Sequence, residues 1–124
     1  MIQTMSRNVL LVTADANTAS LVLDALSARG LSGTHCKDLA SAMGTVAQRN
    51  WGLALLDLDL PGGEAGKIIG LLKYHLPESP VIALSGQASV SLAVGAVRKG
   101  CEDFLVKPLS RQAIDQVLDE QIKC

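Results

Sequence analysis

A chain of 124 residues is long enough for one domain around a single buried core, taken here as residues 1–124. Hydrophobic residues make up 48% but aromatics only 2%, so the core is expected to be built from Leu, Val, Ile and Ala. A net charge of −1 with both signs dispersed argues against a nucleic-acid or membrane-binding surface. No apolar run approaches the roughly 18 residues needed to span a bilayer. Residues 1–8 are polar and lack a signal peptide's apolar region, so the expected compartment is the cytoplasm. Cys36, Cys101 and Cys124 are an odd, widely spaced set that fits neither a disulfide framework nor a zinc pattern. His35-Cys36 lacks the second pair that a zinc site needs, and Cys101 reads as a small core hydrophobe.

Taken in order, the chain alternates between apolar runs and helical spacing. Asn8 to Val12 is an apolar strand that ends at Thr13-Ala14-Asp15. From Asn17 onward, Leu21, Val22, Ala25, Leu26 and Ala28 recur at three- and four-residue spacing, which predicts an amphipathic helix stopped by Gly30. Residues 31–36 form a short second strand of weak signal. Asp38 is a good N-cap for a helix through Leu39, Ala42, Met43, Val46 and Ala47 that ends near Arg49-Asn50.

The third strand carries the strongest signal. Leu53-Ala54-Leu55-Leu56 is continuously apolar, as a parallel strand buried on both faces must be, and it delivers Asp57 to its end. Pro61-Gly62-Gly63 breaks the strand, so Asp57 lies at the C-terminal edge of the sheet, where open α/β sheets bind ligands. Residues 65–75 predict a third helix with Ile68, Ile69, Leu71 and Leu72 inward, ended by Pro77 and Pro80. Val81 to Ser85 is a fourth buried strand. A fourth helix over residues 89–99 is predicted to face Val90, Ala93, Val94 and Val97 inward, with Gly100 as its stop. Phe104-Leu105-Val106 is a fifth strand leading into Lys107-Pro108, and Ser110 caps a last helix through Ile114, Val117, Leu118 and Ile122. Five strand–helix units with no linker and no repeat predict an α/β fold, a five-stranded parallel sheet with helices on both faces.

The strand ends collect the chemistry. Strand one offers Thr13, Ala14 and Asp15, strand three Asp57 and Asp59, strand four Ser85, and strand five Lys107. A carboxylate, a hydroxyl and an ammonium on one edge suit phosphoryl handling: the carboxylate as nucleophile, the other two binding the transferred oxygens. The alternative for each is a polar residue where a strand meets water.

These residues resemble the receiver domain of two-component response regulators, over about Asn8 to Ile122. The resemblance implies the flavodoxin-like (βα)5 fold. Asp57 in Leu55-Leu56-Asp57-Leu58-Asp59-Leu60-Pro61-Gly62 matches the family's phosphoacceptor, and Ser85 in Ala83-Leu84-Ser85-Gly86 its Thr/Ser. Lys107-Pro108 matches its Lys-Pro pair, whose peptide bond is usually cis and which X-Pro bonds make accessible. Ser85 and Phe104 fall at the family's switch positions. The stretches 85–94 and 100–108 are similar to receivers of nitrogen-regulator-type transcription activators. The implied partners are a sensor histidine kinase or phosphotransfer protein and an output domain. Dimer or partner contacts would use the face of the fourth helix, fifth strand and fifth helix, where Arg98, Lys99, Glu102, Asp103, Arg111 and Asp115 are available charges. The domain itself is expected neither to bind nucleic acid nor to act as an enzyme. It is equally readable as a stand-alone receiver or as one cut from a longer protein.

One departure from the family pattern is prominent. Receivers carry two adjacent acids after strand one that hold Mg²⁺, and Thr13 and Ala14 stand at those positions here, with Asp15 one residue late. Mg²⁺ demands near-octahedral oxygen ligands. The remaining ones are the Asp57 carboxylate, the Asp59 backbone carbonyl and water, with Asp15 or the Asp59 side chain as substitutes. Weak Mg²⁺ binding and slowed phosphorylation are expected, and Asp57 is expected to pair more closely with Lys107. The competing reading is a pseudo-receiver, a phosphorylation-independent interaction module on the same fold. An unrelated small α/β enzyme fits least: the chain has no glycine-rich phosphate loop after strand one and no Ser-His-Asp set.

Overall fold

The computed structural model describes residues 6–122; Cys124 and the residues before Ser6 lie outside them. Strands and helices alternate as β1 (Asn8–Val12), α1 (Ala16–Ala28), β2 (Ser32–Cys36), α2 (Leu39–Val46), β3 (Leu53–Asp57), α3 (Ala65–His75), β4 (Val81–Ser85), α4 (Val90–Arg98), β5 (Asp103–Val106) and α5 (Arg111–Gln121). The strands form one parallel sheet in the order β2-β1-β3-β4-β5. The chain therefore winds outward from β1 in both directions, and its crevice opens between the ends of β1 and β3. Register aligns the ends: Val12 pairs with Leu56, Asp57 with Leu84, and Ser85 with Val106. Thr13, Asp57, Ser85 and Lys107 thus emerge side by side.

Every residue of β3 and β4 is buried, and all of β1 after Asn8, which is why these strands read as unbroken apolar runs. The period of two splits them between the faces. Leu10, Val12, Ala54, Leu56 and Ala83 meet Val46, Ile68 and Leu72 from α2 and α3. Leu11, Leu53, Leu55, Ile82 and Leu84 meet Val22, Leu26, Ile114 and Leu118 from α1 and α5. Each fully buried Leu or Ile contributes about 1.5–3 kcal/mol, enough to make the central strands a rigid base for what projects from them. Trp51 is buried beside this core, its indole N–H donating to the Val46 carbonyl at 3.0 Å. Among the described residues, no helix is long and apolar enough to cross a membrane.

Helix ends follow local chemistry. Asp38, Ser89 and Ser110 cap α2, α4 and α5 with side-chain oxygens that accept from the backbone amides of Ser41, Leu92 and Ala113. Gly30, at φ +70°, stops α1. Two boundaries differ from expectation. Helix α1 begins at Ala16 because Asp15 is its cap, and α2 ends at Val46, short of Arg49-Asn50, where a tightened turn from Gln48 N–H to Thr45 O closes it.

The orientation of α4 corrects the sequence reading. Val90, Val94 and Val97 are 82%, 43% and 56% exposed, while Ala96 is buried and Leu92 and Ala93 are half-buried. The helix approaches the sheet on its small residues and turns its valines to solvent. Both faces satisfy helical spacing, so periodicity alone does not choose between them. Val94→Lys is accordingly expected to change unfolding free energy by less than about 0.5 kcal/mol, as at solvated positions. Ile68→Ala, in the buried core, should cost about 2–5 kcal/mol. Urea denaturation compares them, and equal losses would put Val94 in the core.

Candidate functional site

Asp57 is the last residue of β3 and only 2% exposed, yet neither carboxylate oxygen is left without a donor. Oδ1 accepts from the Asp59 amide at 2.9 Å. Oδ2 accepts from the Thr13 hydroxyl at 2.6 Å and from Lys107 Nζ at 2.9 Å. Lys107 arrives from the end of β5, where its backbone N–H bonds Ser85 O at 2.7 Å and its bond to Pro108 is cis. Its ammonium lies 3.0 Å from Asp59 Oδ2 and 3.9 Å from Asp15 Oδ2. One cation therefore stands among three carboxylates.

Ser85 is fully buried at the end of β4, and its hydroxyl donates to Asp59 Oδ1 at 2.9 Å rather than to Asp57. Gly86 N–H donates to Asp59 Oδ2 at 2.7 Å. Phe104, on β5, is half-buried against the core on the α3 side of the sheet. Of the residues singled out from the sequence, Asp57, Asp59, Ser85 and Lys107 are in one bonded network.

Two participants were not foreseen in these roles. Thr13, at the end of β1, is completely buried; its hydroxyl donates to Asp57 and accepts from the Asp15 amide at 3.1 Å. Its carbonyl lies 2.7 Å from His35 Nε2. The second is Asp15, whose carboxylate accepts from the Asn17 amide at 3.0 Å and the Thr18 hydroxyl at 2.7 Å. An Asp-x-x-Thr run that follows a β-strand after two intervening residues is the signal that identifies this cap.

These contacts set the charge states. For Asp59, burial raises the pKa, but the Gly86 amide, Lys107 and Ser85 together hold it below the usual carboxylate range. The Thr18 hydroxyl leads in lowering that of Asp15, against a smaller opposing effect of burial. For Lys107, burial lowers the pKa, and the bonds to Asp57 and Asp59 outweigh it to give a net rise.

The side-chain oxygens that could reach a hard divalent cation are engaged in other bonds. Ala14 has no side-chain oxygen, the Thr13 hydroxyl is committed to Asp57, and Asp15 is turned to the first turn of α1. The space among the carboxylates holds the Lys107 ammonium. Among the described residues, no three His, Cys, Asp or Glu side chains are grouped to hold a metal. His35 and Cys36 alternate across β2, one exposed and one buried, and do not converge.

The fold and the residues gathered at its C-terminal edge place the chain among signalling receivers. The chain belongs to the response regulator receiver domain family, whose pattern matches residues 9–119. It is 26% identical over 121 residues to the nitrogen assimilation regulatory protein NtrX of Azorhizobium caulinodans, covering 96% of this chain and 27% of that protein. The chain spans about a quarter of the length of that protein and of the response regulator protein FleR of Pseudomonas aeruginosa, and 61% of the photosynthetic apparatus regulatory protein RegA of Rhodobacter capsulatus. The receiver domain of NtrX from Brucella abortus superposes with a TM-score of 0.84 at 28% identity, over 92% of this chain and 97% of that one. The beryllofluoride-activated NtrC4 receiver domain dimer superposes with a TM-score of 0.86 at 28% identity, over 94% and 96%.

Thr13→Val removes a donor to a buried carboxylate and an acceptor for the Asp15 amide, and should cost about 2 kcal/mol in urea denaturation. A loss near zero would show that the hydroxyl contributes nothing to the site. The pH dependence has two limits. Asp15 and Asp59, lowered on folding, contribute stability that is present above the ordinary carboxylate range and lost as pH falls through their folded values. Lys107, raised on folding, contributes stability present below the ordinary lysine range and lost as pH rises through its folded value. Urea midpoints should therefore stay level through neutrality and fall toward about pH 3; a midpoint that rises there contradicts this.

Proposed function

We propose that the chain accepts a phosphoryl group on Asp57 from a sensor histidine kinase or a phosphotransfer protein, with weak Mg²⁺ binding and correspondingly slow transfer. An Asp57 carboxylate oxygen attacks phosphorus, the bond to the donor imidazole nitrogen breaks, and an acyl phosphate forms as the imidazole leaves. Lys107 and Ser85 are the groups that bind the transferred oxygens. The observation that carries this reading is Lys107 Nζ at 2.9 Å from the buried Asp57 carboxylate, with the Ser85 hydroxyl on the adjacent strand. Slowness follows from Thr13 and Ala14, which leave no acidic pair for the cation.

Ser85 and Phe104 are the switch residues in this reading, and the face of α4, β5 and α5 carries the output. Val90, Val94, Val97 and Val106 are exposed there. Of its charges, Asp115 is paired with Arg29 and Arg111. A homodimer or an output domain is the partner this face would take, as the NtrC4 receiver is solved as a dimer. Relatives described as transcriptional regulators are several times longer than this chain, which favours a transcription-regulating output outside these residues. The compartment is the cytoplasm.

A second reading is favoured by the closure of the site. Asp57 already holds three donors, so the same fold can act as a pseudo-receiver that signals by protein contact alone. Incubation with acetyl phosphate and Mg²⁺, followed by intact mass, separates the two. Slow gain of one phosphoryl mass, absent in Asp57→Ala, is expected. Ala14→Asp, at an exposed position, should speed labelling about tenfold by restoring an oxygen ligand. No adduct in the folded wild type and in Ala14→Asp would favour the pseudo-receiver.

A further inference from the structure

We propose that the chain's own Asp59 carboxylate occupies the Ser85, Gly86 and Lys107 donors and competes there with a phosphoryl group on Asp57. The hydroxyl, the amide and the ammonium converge on this one carboxylate at 2.9, 2.7 and 3.0 Å. A neutral hydroxyl, a backbone N–H and a cation are the donor types that hold phosphoryl oxygens, and charge-assisted bonds of this length are strong ones.

Local geometry delivers the occupant. The Asp59 amide bonds Asp57 Oδ1, closing a turn that brings the next carboxylate round to the end of β4. Gly86 admits it: a Cβ there would lie 3.2 Å from Asp59 Oδ2, tighter than an ordinary contact, so a side chain at this position would crowd the carboxylate. The Asp59 side chain is 31% exposed, and a cleft of 400 Å³ lined by Asp15, Asp59, Gly86, Lys107 and Pro108 opens beside it. It can leave for solvent when another anion arrives.

Competition follows from charge and from donor count. A phosphoryl group on Asp57 would share Lys107 with Asp59 and face its carboxylate at close range, and like charges so placed repel strongly. Ser85, fully buried, has one proton to give, and Asp59 has it. Until Asp59 leaves, the hydroxyl is held at the cleft by an anion with no phosphoryl group present. The competition with a phosphoryl group rests on the reading of Asp57 as acceptor; the occupancy by Asp59 does not.

The test uses inorganic phosphate as probe and no divalent cation. Amide spectra of the isotope-labelled 124-residue chain are recorded as phosphate is added at constant ionic strength, for wild type and Asp59→Ala. In Asp59→Ala, the Gly86 and Lys107 amides should shift saturably, at phosphate concentrations at least about tenfold below any effect in wild type, since a like-charged neighbour is gone. Ser85→Ala added to Asp59→Ala should weaken that response. Should Asp59→Ala not fold, Asp59→Asn keeps the shape and removes the charge. Equal phosphate responses with and without Asp59, or no response in a folded variant, would overturn the proposal. Phosphate binding involves no group transfer, so a chain that never labels at Asp57 can pass, and one that labels readily can fail.

Discussion

The ammonium of Lys107 is the point on which the C-terminal edge of the sheet closes. It reaches Asp57 on β3, the loop acid Asp59 and, more distantly, Asp15 at the head of α1, while its own backbone is tied to β4 through Ser85 O. Remove it and carboxylates on neighbouring loops face one another in a half-dry crevice. Such a partly buried pair is weak evidence of stability, because desolvation offsets much of the attraction. Its contribution lies in register: one side chain fixes where three loops stand relative to one another. The Thr13 hydroxyl completes the arrangement from the β1 side, with a neutral donor in place of a charge.

Beneath this edge the molecule is unequal. Strands β1, β3 and β4 are sealed by apolar side chains on both faces, so Asp57 and Ser85 project from backbone that cannot shift without opening the core. Helix α4 is held differently: Ala96 is its one buried residue, and its valines face solvent. A segment with few buried contacts opens at lower free energy than the core. The Ser85-Gly86 turn leads from the rigid part into the loop before α4, so what holds Ser85 also bears on how that loop leaves the sheet.

Most of the fold was legible because burial on both faces leaves an unmistakable run of Leu, Val, Ile and Ala, and β3 and β4 carry it. Ile68, Ile69 and Leu72 likewise mark the inner face of α3. The face of α4 was not legible, since Val90-Val94-Val97 and Leu92-Ala96 obey the same spacing and only the approach distance to the sheet decides. At the site, the position of Asp57 followed from an apolar run ended by Pro-Gly-Gly, and that of Lys107 from the following proline. The partners of Thr13 and Asp59 did not follow. Thr13 meets Asp57 across 44 residues and Asp59 meets Ser85 across 26, and such pairings depend on strand register, which no local pattern carries.

With Thr13 and Ala14 after β1, the crevice keeps a negative balance of charge but little freedom for its oxygens. Three carboxylates against one ammonium still leave a negative field, and that field attracts any cation. A divalent ion needs more than a field; it needs oxygens able to turn toward it with near-ideal geometry. Asp15 is held by the first turn of α1, Asp59 by Ser85 and Gly86, and Asp57 by Thr13, Lys107 and the Asp59 amide. An ion at the centre would share these oxygens with the bonds already made and would meet the Lys107 ammonium there. The same bonds that close the site without a ligand therefore set the threshold that any ligand has to overcome.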